Sequence, residues 1–153
     1  ARGYHNRANC LLDKGEYDKA IADYTKAIEL EPRIAISFFG RGYSLEKKGK
    51  YDQAIADFTR AIEIDPKYSE AYTHRGDNYI NQKEYDKAIA DYSRSLELAP
   101  KDSWTYAQRA YAWQKKKEHD KAIADFTEAI KIKPAYFNQI LLLQGQRESG
   151  GEL

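Results

Sequence analysis

Tyr17-Asp18-Lys19-Ala20-Ile21-Ala22-Asp23-Tyr24 returns as Tyr51-Asp52-Gln53-Ala54-Ile55-Ala56-Asp57-Phe58 and again as Tyr85-Asp86-Lys87-Ala88-Ile89-Ala90-Asp91-Tyr92. A fourth copy reads His119-Asp120-Lys121-Ala122-Ile123-Ala124-Asp125-Phe126. Each copy lies 34 residues beyond the last, as do Pro32, Pro66, Pro100 and Pro134. Recurrence at one fixed period marks a stack of like units, none able to bury its apolar side alone. The chain is therefore expected to be all-α, an α-solenoid of four tandem helix-turn-helix units at 1–34, 35–68, 69–102 and 103–136.

Within each unit the period predicts a leading helix, a short turn, a second helix and a proline-bearing connection. Leading helices are expected at about 2–14, 35–48, 69–82 and 103–116, and second helices at about 17–31, 51–65, 85–99 and 119–133. The prolines end the second helices because proline cannot continue the hydrogen-bond ladder. Gly15 and Gly49 supply the left-handed residue that closes a leading helix. Lys83 and Lys117 stand in their places, so the later two turns should be more strained, by up to ~1 kcal/mol each. Asp18, Asp52, Asp86 and Asp120 open the second helices, where a carboxylate suits the positive end of the dipole and reads as a cap.

Residues equally far from the turn face each other across an antiparallel pair. Leu11 then meets Ala20, Tyr4 meets Ala27, Leu45 meets Ala54 and Phe38 meets Ala61. The same register sets Tyr79 against Ala88, Tyr72 against Ser95, Trp113 against Ala122 and Tyr106 against Ala129. Large faces small throughout, which lets the two helices approach and interdigitate. Ala8, Gly42, Gly76 and Ala110 keep the same face slim.

Tyr4-x-x-Arg7-Ala8-x-x-Leu11, then Ala20-x-x-x-Tyr24-x-x-Ala27 and Pro32, resembles the signature of the tetratricopeptide repeat family, whose period is also 34 residues. The family's usual Trp, Leu and Tyr are changed here to Tyr, Arg and Leu. The match covers residues 1 to 136, with many positions recurring in phase. The resemblance implies a right-handed superhelix of helical hairpins that displays a concave groove. One departure recurs in every unit: Arg7, Arg41, Arg75 and Arg109 stand where the family commonly has Leu. Asp23, Asp57, Asp91 and Asp125 lie at nearly the same level of their hairpins. Four repeated arginines suit a structural ion pair, within a hairpin or to its neighbour, better than a single catalytic or ligand-binding group.

Composition excludes several classes. Lys plus Arg total 25 against 24 Asp plus Glu, which leaves no electrostatic footprint for nucleic acid or an anionic membrane. No apolar run approaches the ~18 residues of a spanning helix, so no membrane insertion is expected. Cys10 is the lone cysteine, and its counterparts Ser44, Asn78 and Ala112 are small, which points to packing rather than a reactive thiol. There is no methionine, and the chain opens inside a repeat, so it reads as a piece of something longer with its compartment undetermined. The wording of the units resembles repeats common in bacteria.

After Pro134 the pattern breaks. Residues 137–147 begin like another leading helix, with Phe137, Ile140, Leu141 and Gln144 along one stripe, and are expected to cap unit four. Leu142 and Leu143 widen the apolar surface, so self-association through this helix, giving a homo-oligomer, stays open beside capping. The tail at 148–153 reads as disordered.

No cofactor or metal is expected: His5, His74 and His119 are scattered, and no glycine-rich phosphate loop or nucleophile elbow is present. An enzyme is not expected. In the tetratricopeptide family the groove is lined by the leading helices, which here implies His5, Asn9, Ile36, Phe39, Tyr43, Glu70, His74, Asp77, Trp104, Gln108 and Tyr111. Apolar patches around Phe39/Tyr43 and Trp104/Tyr111 would flank a polar middle at Glu70, Thr73 and Asp77. Either several of these rings pack on neighbouring helices, or they form pockets for a peptide or helix of a partner protein.

Some family members hold a chaperone's C-terminal carboxylate in a clamp of Lys, Asn and Arg. Carried onto this chain the roles fall on His5, Asn9, Gly40, Glu70 and His74; only Asn9 matches, and Glu70 would repel a carboxylate. The expected function is a protein-interaction scaffold. End-to-end assembly through the C-terminal helix and a docking segment of a longer enzyme are the alternatives.

Overall fold

The structure, a computed structural model, describes residues 1–134. Eight helices fill the described residues: α1 (Arg2–Asp13), α2 (Tyr17–Leu30), α3 (Ala35–Lys47), α4 (Tyr51–Ile64), α5 (Ser69–Asn81), α6 (Tyr85–Leu98), α7 (Ser103–Lys115) and α8 (His119–Ile132). All eight helices expected for the four units are present, each with its C-terminal end displaced by a single residue. The expected cap at 137–147 and tail at 148–153 lie outside the described residues.

The turns close as the residue types require. Gly15 and Gly49 take φ of 74° and 70°, and Lys83 and Lys117 are forced to 61° and 63°. The four aspartates at the starts of the second helices depart from the capping expectation. They stand in the first turn, yet no side chain caps α2, α4, α6 or α8 through a hydrogen bond. Three of them reach forward instead: Asp18 to Lys48, Asp86 to Lys116, and Asp52 to Gln82 Nε2 at 2.6 Å. The carboxylate keeps its place beside the dipole but ties one hairpin to the end of the next leading helix.

Packing follows the large-on-small register. Leu11 lies against the Ala8–Ala20–Tyr24 cluster, Phe38 against Ala61, Leu45 against Ala54, and Tyr106 against Ala129. Gly42 and Gly76 lie under the rings of Phe58 and Tyr92, where a Cβ would come within 3.0 and 2.7 Å of the nearest ring atom. Gly40 does the same job between units, because a Cβ there would overlap the ring of Tyr24 from the hairpin before.

The arginines make both kinds of bond anticipated for them. Arg41, Arg75 and Arg109 each grip the aspartate of their own hairpin with Nε and Nη2, all six contacts at 2.7 Å. Their Nη1 donates to a hydroxyl of the preceding second helix: Thr25 at 3.1 Å, Thr59 at 3.0 Å and Ser93 at 3.0 Å. Arg7 grips Asp23 likewise but is 65% exposed, against 17% for Arg75. Burial changes the electrostatics of the same pair. Arg7 holds Asp23 below the usual carboxylate range, whereas burial pushes Asp91 up despite the hydrogen bonds from Arg75.

Cys10 corrects an expectation too. It is exposed, while Ser44, Asn78 and Ala112 are fully buried. Asn78 reaches Glu46 of the hairpin before it, and no hairpin precedes Cys10 among the described residues.

Candidate partner-binding groove

Leading helices touch their counterparts in the next unit, α1 with α3, α3 with α5 and α5 with α7, whereas second helices do not touch one another. The leading helices therefore form the tighter, inner wall of the stack, and the second helices splay along the outer one. All eleven candidate groove residues belong to this inner layer.

At the first end His5 meets Ser37 Oγ through Nδ1 at 3.1 Å, Asn9 Nδ2 approaches His5 Nε2 at 3.3 Å, and Tyr24 donates its hydroxyl to Asn9 Oδ1 at 2.6 Å. Burial lowers the His5 imidazole from its ordinary range and raises the Tyr24 phenol to about 12. Beside them lies an open pocket of about 280 Å³ lined by Arg2, His5, Ala27, Ile34, Ile36 and Ser37 among others. Ile36 is 50% exposed.

Further along, Phe39 and Tyr43 do not stand free. Tyr68, from the connection after α4, lies tilted against Phe39 at 4.9 Å between centroids, and Phe58 meets Phe39 at 5.5 Å. His74 of α5 sits edge-on to Phe39 and Tyr43 at 5.4 and 5.2 Å, and its Nδ1 faces Glu46 Oε2 at 3.2 Å. Phe39 is thus half-buried by its neighbours, the packing alternative, while Tyr43 and His74 line the wall above it. Thr73 leaves the expected polar middle altogether: it is buried, bonded to Ser95 and Thr105 at 2.8 and 2.9 Å.

Asp77 is half-buried and accepts the Tyr92 hydroxyl at 2.7 Å and a hydrogen bond from Trp104. Burial pushes its carboxyl up to about 6, against these donors and against His74. Trp104 remains 40% exposed. Glu70 is exposed and accepts a hydrogen bond from its neighbour Ser69 at 3.0 Å. Gln108 is half-buried. Tyr111 carries Lys115 Nζ over its ring at 5.0 Å, as Tyr43 carries Lys47 Nζ at 4.7 Å. The structure thus joins His5 with Asn9, Phe39 and Tyr43 with His74, and Asp77 with Trp104.

Tyr68, Asn78 and Tyr92 hold this wall together and were not singled out by sequence reasoning. A signal for Tyr92 existed: residues 24, 58, 92 and 126 run Tyr, Phe, Tyr, Phe, while 9, 43, 77 and 111 run Asn, Tyr, Asp, Tyr. A hydroxyl appears on the second helix where the leading helix offers it an amide or carboxylate oxygen.

Eight helices paired as hairpins and stacked in register define a helical-repeat solenoid. The chain belongs to the tetratricopeptide repeat family, whose patterns match residues 1–34, 35–68, 69–102 and 105–136. Among curated proteins none matches it in sequence. Among solved structures it is similar to MamA 41-end from Desulfovibrio magneticus RS-1, at 20% identity and a TM-score of 0.84 over 97% of this chain and 85% of that one. It is also similar to the first TPR of Spaghetti (RPAP3) bound to HSP90 peptide SRMEEVD, at 26% identity and a TM-score of 0.72 over 72% and 88%. The Arabidopsis OM64 TPR domain gives 26% and 0.73 over 74% and 93%. No described helix is long and apolar enough to cross a membrane.

Proposed function

We propose that this chain is a non-catalytic scaffold that holds an extended segment or helix of a partner protein against the wall of α1, α3, α5 and α7. A protein-interaction role is what its fold neighbours support, one of them carrying a bound peptide. The observation that carries the groove reading is the exposure of Ile36 and Trp104 on the same inner layer as Tyr43 and Tyr111. Large apolar groups left to solvent on a ridged wall are the feature of a recognition surface. Gly40 lies under Tyr24, with no room for a side chain, and Glu70 is exposed. Both argue against a clamp for a terminal carboxylate, so the preferred segment differs from the acidic peptide of the RPAP3 structure.

Affinity capture from native lysate, read by mass spectrometry, tests this with wild type and an Ile36→Ala/Tyr111→Ala variant. Captured proteins should be lost in the variant while its thermal melt stays close to wild type. Unchanged capture would defeat the groove reading.

A further inference from the structure

Most carboxylates of the inter-helix seams meet a cation. Asp23, Asp57, Asp91 and Asp125 each face an arginine, and Asp18 and Asp86 each face a lysine. Two carboxylates of the inner wall have no arginine or lysine so close. Asp77 of α5 is held by neutral donors, the Tyr92 hydroxyl and Trp104. Glu46 of α3 accepts from Asn78 Nδ2 at 2.8 Å and faces His74 at 3.2 Å, with Lys47 Nζ no nearer than 4.0 Å. Both carboxylates lie at the same stretch of α5, because Glu46 reaches His74 and Asn78, which flank Asp77 in sequence.

The fold does not need a charge at position 77. Asn9 occupies the same place in the first unit and accepts the Tyr24 hydroxyl at 2.6 Å, so a neutral amide completes that bond equally well. A half-buried carboxylate kept where an amide suffices is the kind of stability cost found at functional sites. A second observation points the same way. Asn78, fully buried, spends its Nδ2 on Glu46 and on the His74 carbonyl, and its Oδ1 has no donor. The wall therefore offers two carboxylates, one of them held by an amide whose own oxygen is unanswered, with Tyr43 and Tyr111 on the neighbouring helices. Ammonium groups already rest over both of those rings, those of Lys47 and Lys115.

We propose that the centre of the groove, between Glu46 and Asp77, takes a cationic side chain of the partner segment, its aliphatic stem along Trp104 and its charged head on the two carboxylates. No group of three metal-ligating residues exists among the described residues, so the occupant is an organic cation rather than a metal ion. This rests on the groove reading above and adds to it the charge of the anchor.

Fluorescein-labelled Phe-Ala-Lys-Ala-Tyr amide, with versions carrying norleucine or glutamate in place of lysine, tests the proposal by anisotropy at low ionic strength. The lysine peptide should bind at least ~10-fold more tightly than the norleucine one, with glutamate weakest, and added salt should shrink the gap. In Glu46→Gln/Asp77→Asn the lysine-to-norleucine ratio should fall towards one, with a thermal melt confirming that the variant is folded. Equal binding of lysine and norleucine by wild type, or an undiminished ratio in the double variant, overturns the cation site and leaves the groove reading intact. No binding of any of the three peptides removes both.

Discussion

Replacing Asp77 by asparagine should stabilise the protein at neutral pH and leave it unchanged in acid. The folded chain holds the Asp77 proton up to about pH 6, whereas an aspartate ordinarily releases it near 3.8. Between those values the folded state binds more protons than the unfolded one, so stability falls as pH rises and stays lost above the upper value. The separation corresponds to about 3 kcal/mol at pH 7, a ceiling because the side chain keeps some contact with water. Asparagine retains an acceptor for Tyr92 and Trp104, as Asn9 does for Tyr24, and carries no charge to desolvate. Urea unfolding followed by circular dichroism at pH 3.5 and pH 7.5 gives the answer, with Asp77→Ala as the control that loses the hydrogen bonds. The gain should be near zero in acid and up to about 3 kcal/mol at the higher pH, equivalent to about 6–12 °C in melting temperature. A gain equal at both pH values, or none at pH 7.5, would refute the assignment of a desolvated carboxylate.

Further outcomes follow from the packing. A double-mutant cycle on Arg75 and Asp91 should show strong coupling, with either single truncation costing about 3–5 kcal/mol, because a buried charge is stranded. The matching cycle on Arg7 and Asp23, measured by the same urea titrations, should give much weaker coupling than the Arg75–Asp91 cycle, since Arg7 is exposed. Ala88→Phe should overpack the seam against Tyr79 and cost about 1–3 kcal/mol in a thermal melt; a wild-type melt would reject the hairpin register. Lys83→Gly and Lys117→Gly should each raise stability by up to about 1 kcal/mol, because both lysines hold a positive φ that glycine adopts freely.

Much of the scaffold was legible because its causes are local or periodic. Prolines end helices, glycines close turns, and alanine opposite a large residue sets the hairpin register, so each boundary fell within a residue of expectation. The Arg–Asp pairs were visible through fourfold recurrence. The wall of the groove was harder, since its contacts join residues of different units whose types do not repeat. Phe39 is roofed by Tyr68, a connection residue whose counterparts are Ile34 and Asp102, so no periodic signal announces the contact. Asp18 looked like a cap because the helix dipole acts within one turn, while Lys48 arrives from the following hairpin. Cys10 looked like a packing residue because its counterparts are small, but smallness matters only where another hairpin lies on top.

The three-way grip of Arg41, Arg75 and Arg109 has an evolutionary consequence. Each hairpin carries a latch, its arginine, and a catch for its successor, the hydroxyl of Thr25, Thr59 or Ser93. A duplicated unit spliced into the array would arrive with both parts and engage either neighbour without compensating changes. Such an array can lengthen or shorten by whole units, while the inner wall of each new copy is left to diverge.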